Sequence, residues 1–303
     1  MPMNGKKFIV TGGAGFIGSH IVDALIARGD DVVVVDDLSS GLKENINPKA
    51  RFHKIDICDR SAFTDLVLRE KPAGVFHLAA IVSVQFSIEH PEQTFNVNVT
   101  GTKNVYEAAH TCGAKVIFSS SSAVYGDQIG EAGNAEIEPV YESSLLAPKS
   151  PYGEHKKLGE IYADLSLRYF NVYGPRQRGD SPYAGVVAQF IARKKAGKPL
   201  TIFGDGLQTR DFVSVHDVVR ANLMAMDKTL SGTISGGEAI NIGSGVASTI
   251  LDIAKIVGGE IQYALARIEP RHSLANISKA ERLIEWSPSV SLKDGIVELM
   301  MMN

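Results

Sequence analysis

Lys7-Phe8-Ile9-Val10-Thr11-Gly12-Gly13-Ala14-Gly15-Phe16-Ile17-Gly18-Ser19-His20 is the stretch that decides the fold. Phe8-Ile9-Val10 reads as a short buried strand. Gly12, Gly13, Gly15 and Gly18 form a tight turn, and Ile17, Ile21, Val22, Leu25 and Ile26 then recur at helical spacing. A strand that passes through glycines into a helix makes a site for dinucleotide phosphates. Backbone without Cβ atoms lets a pyrophosphate come close, and the helix start offers it free N–H groups and a positive dipole end. Gly13, Gly15 and Gly18 fit Gly-x-Gly-x-x-Gly in the strand-to-helix context that the motif requires.

Working outward, Arg28-Gly29 suits a helix C-cap. Asp31-Val32-Val33-Val34-Val35-Asp36 is a β-branched run bounded by polar residues, as in a parallel strand buried on both faces. Asp36 ends it roughly 20 residues past the glycines, where an acid accepts hydrogen bonds from the adenosine ribose hydroxyls. A carboxylate there repels a 2′-phosphate, so NAD is expected over NADP; a solvated strand-end aspartate is the plainer alternative. Arg51 to Ile57 reads as a third strand with Asp56 at its end facing the adenine. Ser61 to Glu70 reads as a helix. Gly74 to Ala80 is a fourth strand whose small residues Ala79 and Ala80 leave room for a ligand. His77, flanked by apolar residues, reads as a core histidine.

Pro91 to His110 is helical, with Asn98 placed to reach toward the cofactor. Lys115 to Phe118 is a fifth strand, followed by Ser119 to Gly126. Residues 127–150 read as a loop over the site. A helix Tyr152–Leu165 and a strand Leu167–Val172 follow. Beyond Gly174-Pro175 the elements are shorter and mixed. The fold class expected is α/β: a Rossmann-type doubly wound parallel sheet in residues 1–174, with a smaller mixed α/β substrate domain in 175–303, some of whose elements return to the first.

The bulk properties agree. Of 303 residues, 44% are hydrophobic and 21% charged, as expected of a chain that buries a core. A net charge of −3 gives no reason to expect nucleic acid or an anionic membrane as partner. No apolar run approaches a membrane span, and no apolar segment of a signal peptide follows the N-terminal lysines. Cys58 and Cys112 lack metal spacing and read as buried free thiols in a reducing compartment. A cytoplasmic enzyme is the default.

Tyr152 and Lys156 form Tyr-x-x-x-Lys on a helix, so both side chains share a face. A lysine ammonium beside a tyrosine favours the phenolate, which makes the tyrosine usable as a base. Ser121, just after the fifth strand, offers a hydroxyl to the reacting oxygen. With a dinucleotide site upstream, these are the parts of an alcohol-oxidising centre.

At this point the chain resembles the extended short-chain dehydrogenase/reductases, in particular the nucleotide-sugar epimerases. The resembling stretches are Thr11–Gly18, His77–Ala80, Ser119–Gly126, Ser150–Gly153 with Lys156, Arg168–Pro175, Gly204–Gly206 with Gln208–Phe212, and Arg271–Ser273. They run in the family's order along nearly the whole chain. The resemblance implies 4-epimerisation of a UDP-hexose through a transient 4-keto sugar, with Tyr152, Lys156 and Ser121 catalytic. It implies cofactor contacts at Gly12, Gly15, Phe16, Ile17, Asp36, Asp37, Ser39, Asp56, Ile57, Leu78, Ala79, Ala80, Asn98, Ser119, Tyr152, Lys156, Tyr169 and Val172. Substrate contacts are implied at Ser121, Ser122, Tyr152, Asn171, Arg210, Arg271 and Ser273, the arginines gripping the diphosphate. For Arg210 the plainer alternative is an ion pair with Asp211. Ser273 is small, so both UDP-glucose and the N-acetylated sugar would fit. The family's homodimer through a four-helix bundle, built from the helix at 95–110 and the Tyr152 helix, is expected too.

One choice of residue sorts reactions. Related dehydratases and decarboxylases usually carry an acid immediately before Val-Tyr-Gly, whereas this chain has Ser122-Ala123. Its absence favours epimerisation over the alternative of a dehydratase, decarboxylase or reductase; a non-catalytic NAD-binding protein is the third reading. Two departures stand out. The segment between Lys156 and Arg168 is shorter than the family's, leaving almost no loop after a helix to Leu165; either the loop is trimmed or residues are missing from it. A similar shortening around 264–270 weakens Arg267 as a phosphate ligand.

Overall fold

Strand alternation builds the two faces of the central sheet. The structure, a computed structural model, describes residues 5–126, 137–179, 184–234, 236–266 and 270–302. Its elements are β1 Lys7–Thr11, α1 Phe16–Arg28, β2 Asp31–Val35, β3 Arg51–His53, α2 Arg60–Glu70, β4 Gly74–His77, α3 Val84–Glu89, α4 Pro91–Phe95, α5 Thr102–Thr111, β5 Lys115–Ser121, α6 Pro151–Gly159, β6 Leu165–Tyr169 and β7 Asn171–Tyr173. There follow α7 Val186–Lys195, β8 Leu200–Phe203, β9 Thr209–Ser214, α8 Val215–Leu230, β10 Glu238–Ile242, β11 Ala247–Thr249, α9 Ile250–Val257, β12 Ile261–Ala264, α10 Ser278–Ile284 and α11 Leu292–Met301. Phe8, Val10, Val32 and Val34 point to one face, against Ile21, Val22 and Leu25 of α1 and Val218, Ala221 and Ala225 of α8. Ile9, Val33 and Val35 point to the other, against Phe63, Leu66 and Val67 of α2 and Val105 and Ala109 of α5. Both faces are covered, which is why the Val run is apolar without a break.

The sheet has seven parallel strands in the order β10-β6-β5-β4-β1-β2-β3. Strand order reverses between β1 and β4, so the crevice where an open α/β sheet binds ligands lies beyond Thr11 and His77. β10, α8 and α10 come from the second half of the chain yet pack on this sheet. A second core gathers α7, β8, α9 and α11 around Phe190, Leu200, Ile202 and Ile253. This is the doubly wound sheet with a smaller mixed unit expected from the sequence.

Three expectations about local structure change. The predicted strand Leu167–Val172 is two strands: β6 joins the main sheet, the chain turns at Phe170, and β7 pairs with β9 in a separate three-stranded sheet. The predicted helix Tyr152–Leu165 stops at Gly159. Leu165 pairs with Ile117 of β5 and Glu238 of β10, and sheet pairing overrides a helical pattern that would have carried it away. The connection is therefore Glu160–Asp164, an ordinary length for helix to strand, and the loop closes without added residues. Finally, Cys58 and Cys112 are half-buried free thiols rather than core residues. Arg267 and part of the loop at 127–150 lie outside the described residues.

His77 is the core histidine expected. Its two ring nitrogens meet the hydroxyls of Thr11 (2.7 Å) and Thr102 (2.9 Å). Burial pushes its pKa down to about 3. An unfolded chain takes up a proton below 6.5 that the native state refuses, so stability falls as pH drops from 6.5 toward 3. Replacing His77 with Gln is expected to remove this share of the acid lability. Urea unfolding at pH 7 and pH 4.5 measures it, and an unchanged difference between the two pH values would contradict it.

Candidate active site

The glycine turn is built by contacts that exclude side chains. Gly12 takes φ +69° and its N–H donates to Val35 O at 2.8 Å. A Cβ on Gly12 would lie 2.7 Å from Ala79 N, and one on Gly18 would lie 2.2 Å from Gly12 O. Helix α1 starts at Phe16 with Gly15 as N-cap, which has no side chain to bond the first N–H groups. These face the crevice with the positive end of the helix dipole behind them, as an anionic pyrophosphate requires.

Around the turn lies a cleft of about 910 Å³. Gly12, Gly15, Phe16, Ile17, Asp36, Asp37, Ser39, Asp56, Ile57, Leu78, Ala79, Ala80, Ser119, Ser121, Tyr152, Tyr169 and Val172 all line it. Asp36 accepts from Ala14 N at 3.0 Å and Leu38 N at 2.8 Å, which locks its carboxylate at the rim. Burial pushes its carboxyl up while those two bonds oppose the rise. Asp37 is held by Ser39, whose N–H and hydroxyl both donate to it, and Asp56 accepts from Cys58 N. Asn98 sits in a π-helical segment, Asn96–Gly101, between α4 and α5. Its amide is spent on Ile81, accepting from that N–H and donating to that carbonyl, both at 2.8 Å. It thus acts on the cleft wall through Ile81 instead of lining the cleft itself.

At the deep end, Ser150 caps α6 by accepting from Gly153 N, and Tyr152 N donates to Ser87 Oγ at 3.2 Å. The Lys156 ammonium lies 5.9 Å from the Tyr152 ring centroid and donates to Ser119 O at 2.6 Å. Burial pushes Lys156 down to about 7. It also pushes the Tyr152 phenol up, and a hydrogen bond with the Ser121 hydroxyl opposes that rise. The Tyr152 phenol is therefore raised, opposite to the lowering expected from the Tyr-x-x-x-Lys spacing, and the Ser121 hydroxyl rather than Lys156 is what opposes the rise.

Arg210 and Arg271 come together away from this end: Arg210 donates to Thr209 O (2.8 Å) and to Arg271 O (3.4 Å). Asp211 takes the N–H groups of Ser244, Gly245 and Ala275. Arg271 forks onto Asp205 at 2.8 and 2.7 Å. Thr209 meets the neighbouring His272 ring at 2.9 Å, which puts half-buried Ser273 beside the arginines. Asn171 opens β7, and half-buried Ser122 follows β5. Lys156, Asn171, Ser122, Arg210, Arg271 and Ser273 are not part of the cleft lining itself; Lys156 is buried beside Tyr152, which is. Sequence reasoning missed Ser83, Phe86 and Gln177 in the lining. Ser83 caps α3 by accepting from Phe86 N, and a Ser-x-x-Phe cap after the Ala79-Ala80 strand end was the available signal.

The lining fits a dinucleotide: a glycine-rich turn at a helix start, the Asp36 carboxylate locked at the rim, and Tyr152 and Ser121 with the Lys156 ammonium beside the Tyr152 ring. Comparison with known proteins agrees. The family model for the NAD dependent epimerase/dehydratase family matches residues 8–243. UDP-glucose 4-epimerase of Mycolicibacterium smegmatis is 37% identical over 96% of both chains. UDP-N-acetyl-alpha-D-glucosaminuronate decarboxylase of Bacillus cytotoxicus is 33% identical over 97% of this chain and 96% of its own. The crystal structure of Thermotoga maritima UDP-glucose 4-epimerase with UDP-glucose matches with a TM-score of 0.88, at 39% identity and 96% coverage of both chains.

Proposed function

The chain belongs to the NAD dependent epimerase/dehydratase family, and we propose that it is an NAD-dependent isomerase that interconverts UDP-hexoses epimeric at C4, of the UDP-glucose/UDP-galactose type. The observation that carries this reading is that Tyr152 and Ser121 line the cleft that the glycine turn opens, with the buried Lys156 ammonium 5.9 Å from the Tyr152 ring centroid. The family resemblance to a decarboxylase is weighed against it by one position: Ala123 offers no acid or base to a second chemical step.

NAD, when bound, would supply a reversible hydride acceptor for C4 of the sugar. Gly12, Gly15 and the start of α1 would hold its pyrophosphate, Asp36 its adenosine ribose, and Lys156 its nicotinamide ribose. The chain's own chemical work is proton transfer. The Tyr152 phenolic oxygen takes the proton of the 4-hydroxyl and returns it. Ser121 holds the reacting oxygen and pulls Tyr152 toward the phenolate. Asn171, Arg210 and Arg271 hold the UDP diphosphate, which anchors the sugar while its ring turns over. Ser273, with its small side chain, leaves space for an N-acetyl group.

Incubation with UDP-glucose, UDP-galactose and their N-acetyl counterparts, without added NAD, tests the reading. Epimers are the expected products; a 4-keto-6-deoxy sugar or released carbon dioxide would replace it with dehydration or decarboxylation.

A homodimer completes the proposal. Helices α3, α4 and α6 pack together, and Ile88, Phe95, Ile161 and Tyr162 on or beside them are 54%, 47%, 67% and 52% exposed. Apolar side chains exposed together on this group of helices support a contact with a second copy of the chain. Ile161→Glu is expected to convert dimer to monomer by sedimentation velocity, and a persisting dimer would move the interface elsewhere.

A further inference from the structure

The alignment of Tyr152 with Lys156 depends on what holds the end of the short helix α6. Glu160 follows that end directly, and its N–H donates to Lys156 O at 3.2 Å. Its largely buried carboxylate takes three donors: Arg168 Nε at 2.8 Å, Arg168 Nη2 at 2.7 Å and Ser120 Oγ at 2.5 Å. Arg168 Nη1 continues to the Tyr125 hydroxyl (2.8 Å) and Glu142 O (3.1 Å), and Tyr125 donates to Asn241 Oδ1 at 2.6 Å. Ser120 and Arg168 are register partners on β5 and β6. Ser120 stands between Ser119, whose carbonyl takes the Lys156 ammonium, and Ser121. One carboxylate therefore ties the helix that carries Tyr152 and Lys156 to the strand that carries the other members of the site. A second tie comes from α5, where the Tyr106 hydroxyl donates to Gly159 O at 2.8 Å.

A buried ion pair is often worth no more to stability than apolar side chains of the same volume, so this geometry points to alignment as its use. We infer that Glu160 is a positioning residue for the epimerisation proposed above: its carboxylate fixes the Tyr152/Lys156 helix against Ser119–Ser121 and places a negative charge one helical turn from Lys156. The inference rests on that functional reading.

The titratable and charged groups around Lys156 and Glu160 are Tyr152 on α6, His77 on β4, Tyr106 on α5 and Arg168 on β6. His77 is neutral at working pH. Burial is the main influence on Lys156 and drives off its proton; Glu160 works in the opposite direction. Without the Glu160 charge, Lys156 deprotonates at lower pH. The alkaline limit of turnover then moves toward acid, because a neutral lysine no longer favours the phenolate.

The test compares Glu160→Gln, Glu160→Asp and Ser120→Ala with the wild-type holoenzyme, following kcat and KM for UDP-glucose against pH. For Glu160→Gln, kcat at the pH optimum is expected to fall about tenfold, as misplacement of a reacting pair costs. KM is expected to stay close to wild type, and the alkaline limb to move down by about half a pH unit or more. Glu160→Asp keeps the charge and is expected to restore the limb. Ser120→Ala removes one donor from the carboxylate and lowers kcat in the same direction by a smaller factor. It decides the matter if Glu160→Gln does not fold, and a wild-type kcat would then overturn the inference. A Glu160→Gln variant with lower Tm but a wild-type profile would overturn it too, since a purely structural role predicts that result. Protonation of Lys156 is also read without turnover, from the pH dependence of its acylation by acetic anhydride followed by peptide mass spectrometry. A lower midpoint in Glu160→Gln supports the inference and an equal one overturns it. Failure of the epimerase reading shows itself separately, as wild-type protein that makes no epimer.

Discussion

Tyr152→Phe is expected to lower turnover of UDP-glucose by a factor on the order of 10²–10⁴, the range that a positioned acid–base group supplies. The substitution removes one oxygen and little else. The Tyr152 backbone stays pinned because its N–H donates to Ser87 Oγ, and Ser150 still caps the helix. The ring keeps its packing, Lys156 keeps Ser119 O, and the cleft-lining residues from Gly12 to Ala80 are untouched. Only the hydrogen bond with Ser121 and the proton acceptor are lost. The variant should therefore carry as much NAD as the wild type while making almost no epimer. Product analysis by chromatography and NAD release on denaturation check both halves. Turnover within a few fold of wild type would sink the assignment of Tyr152 as the base.

The second large effect is expected at Gly18. A Cβ there would lie 2.2 Å from Gly12 O, 2.9 Å from Gly12 C and 3.0 Å from Gly13 Cα. All three neighbours are backbone, so no side chain can swing aside. Gly18→Ala can be accommodated only if α1 moves off the turn, which would spoil the cradle for the pyrophosphate and open the packing of Ile21, Val22 and Leu25 against the sheet. Overpacking of this kind costs about 1–3 kcal/mol, and the rigid neighbours put Gly18→Ala at the upper end. The expected result is loss of copurifying NAD together with a lower Tm that added NAD does not restore. Gly29→Ala makes a useful contrast: nothing lies within 4 Å of its Cβ, and its cost is the left-handed φ of 89° alone. Full NAD content in Gly18→Ala would mean that the turn tolerates a wider cradle than its geometry allows.

These two residues also mark how the site could be read before the fold was known. The glycine turn is contiguous: strand, turn and helix follow one another within Lys7–Arg28, so its meaning needed no distant partner. Asp36 was reachable for a related reason. β2 is the next strand and pairs with β1 in register, Thr11 opposite Val35, so the following residue falls beside the turn and takes Ala14 N. Tyr152 and Lys156 share a face by helical geometry alone. Asn98 shows the limit of such reasoning. Its position on a helix facing the site was legible, but a π-helical segment redirects its amide to Ile81, and nothing in the local sequence announces that turn of the backbone.

What the amino-acid sequence determined by itself is whatever depends on near neighbours: the glycine turn between strand and helix, the two-faced Val strand, the i, i+4 pair and the missing acid at Ala123. The tertiary structure decided where competing local preferences ended. Residues 160–165 carry a pattern that would extend α6, yet Leu165 is claimed by β5 and β10, and Asp164 is claimed by Lys115 at 2.9 Å and Val116 N at 2.8 Å. It also decided that Phe170 is where the chain leaves one sheet for another, that β10 returns to the first sheet, and that Arg210 meets Arg271. Each of these depends on groups far apart in sequence, because burial and sheet hydrogen bonds are satisfied across the whole fold while helical periodicity is written one turn at a time.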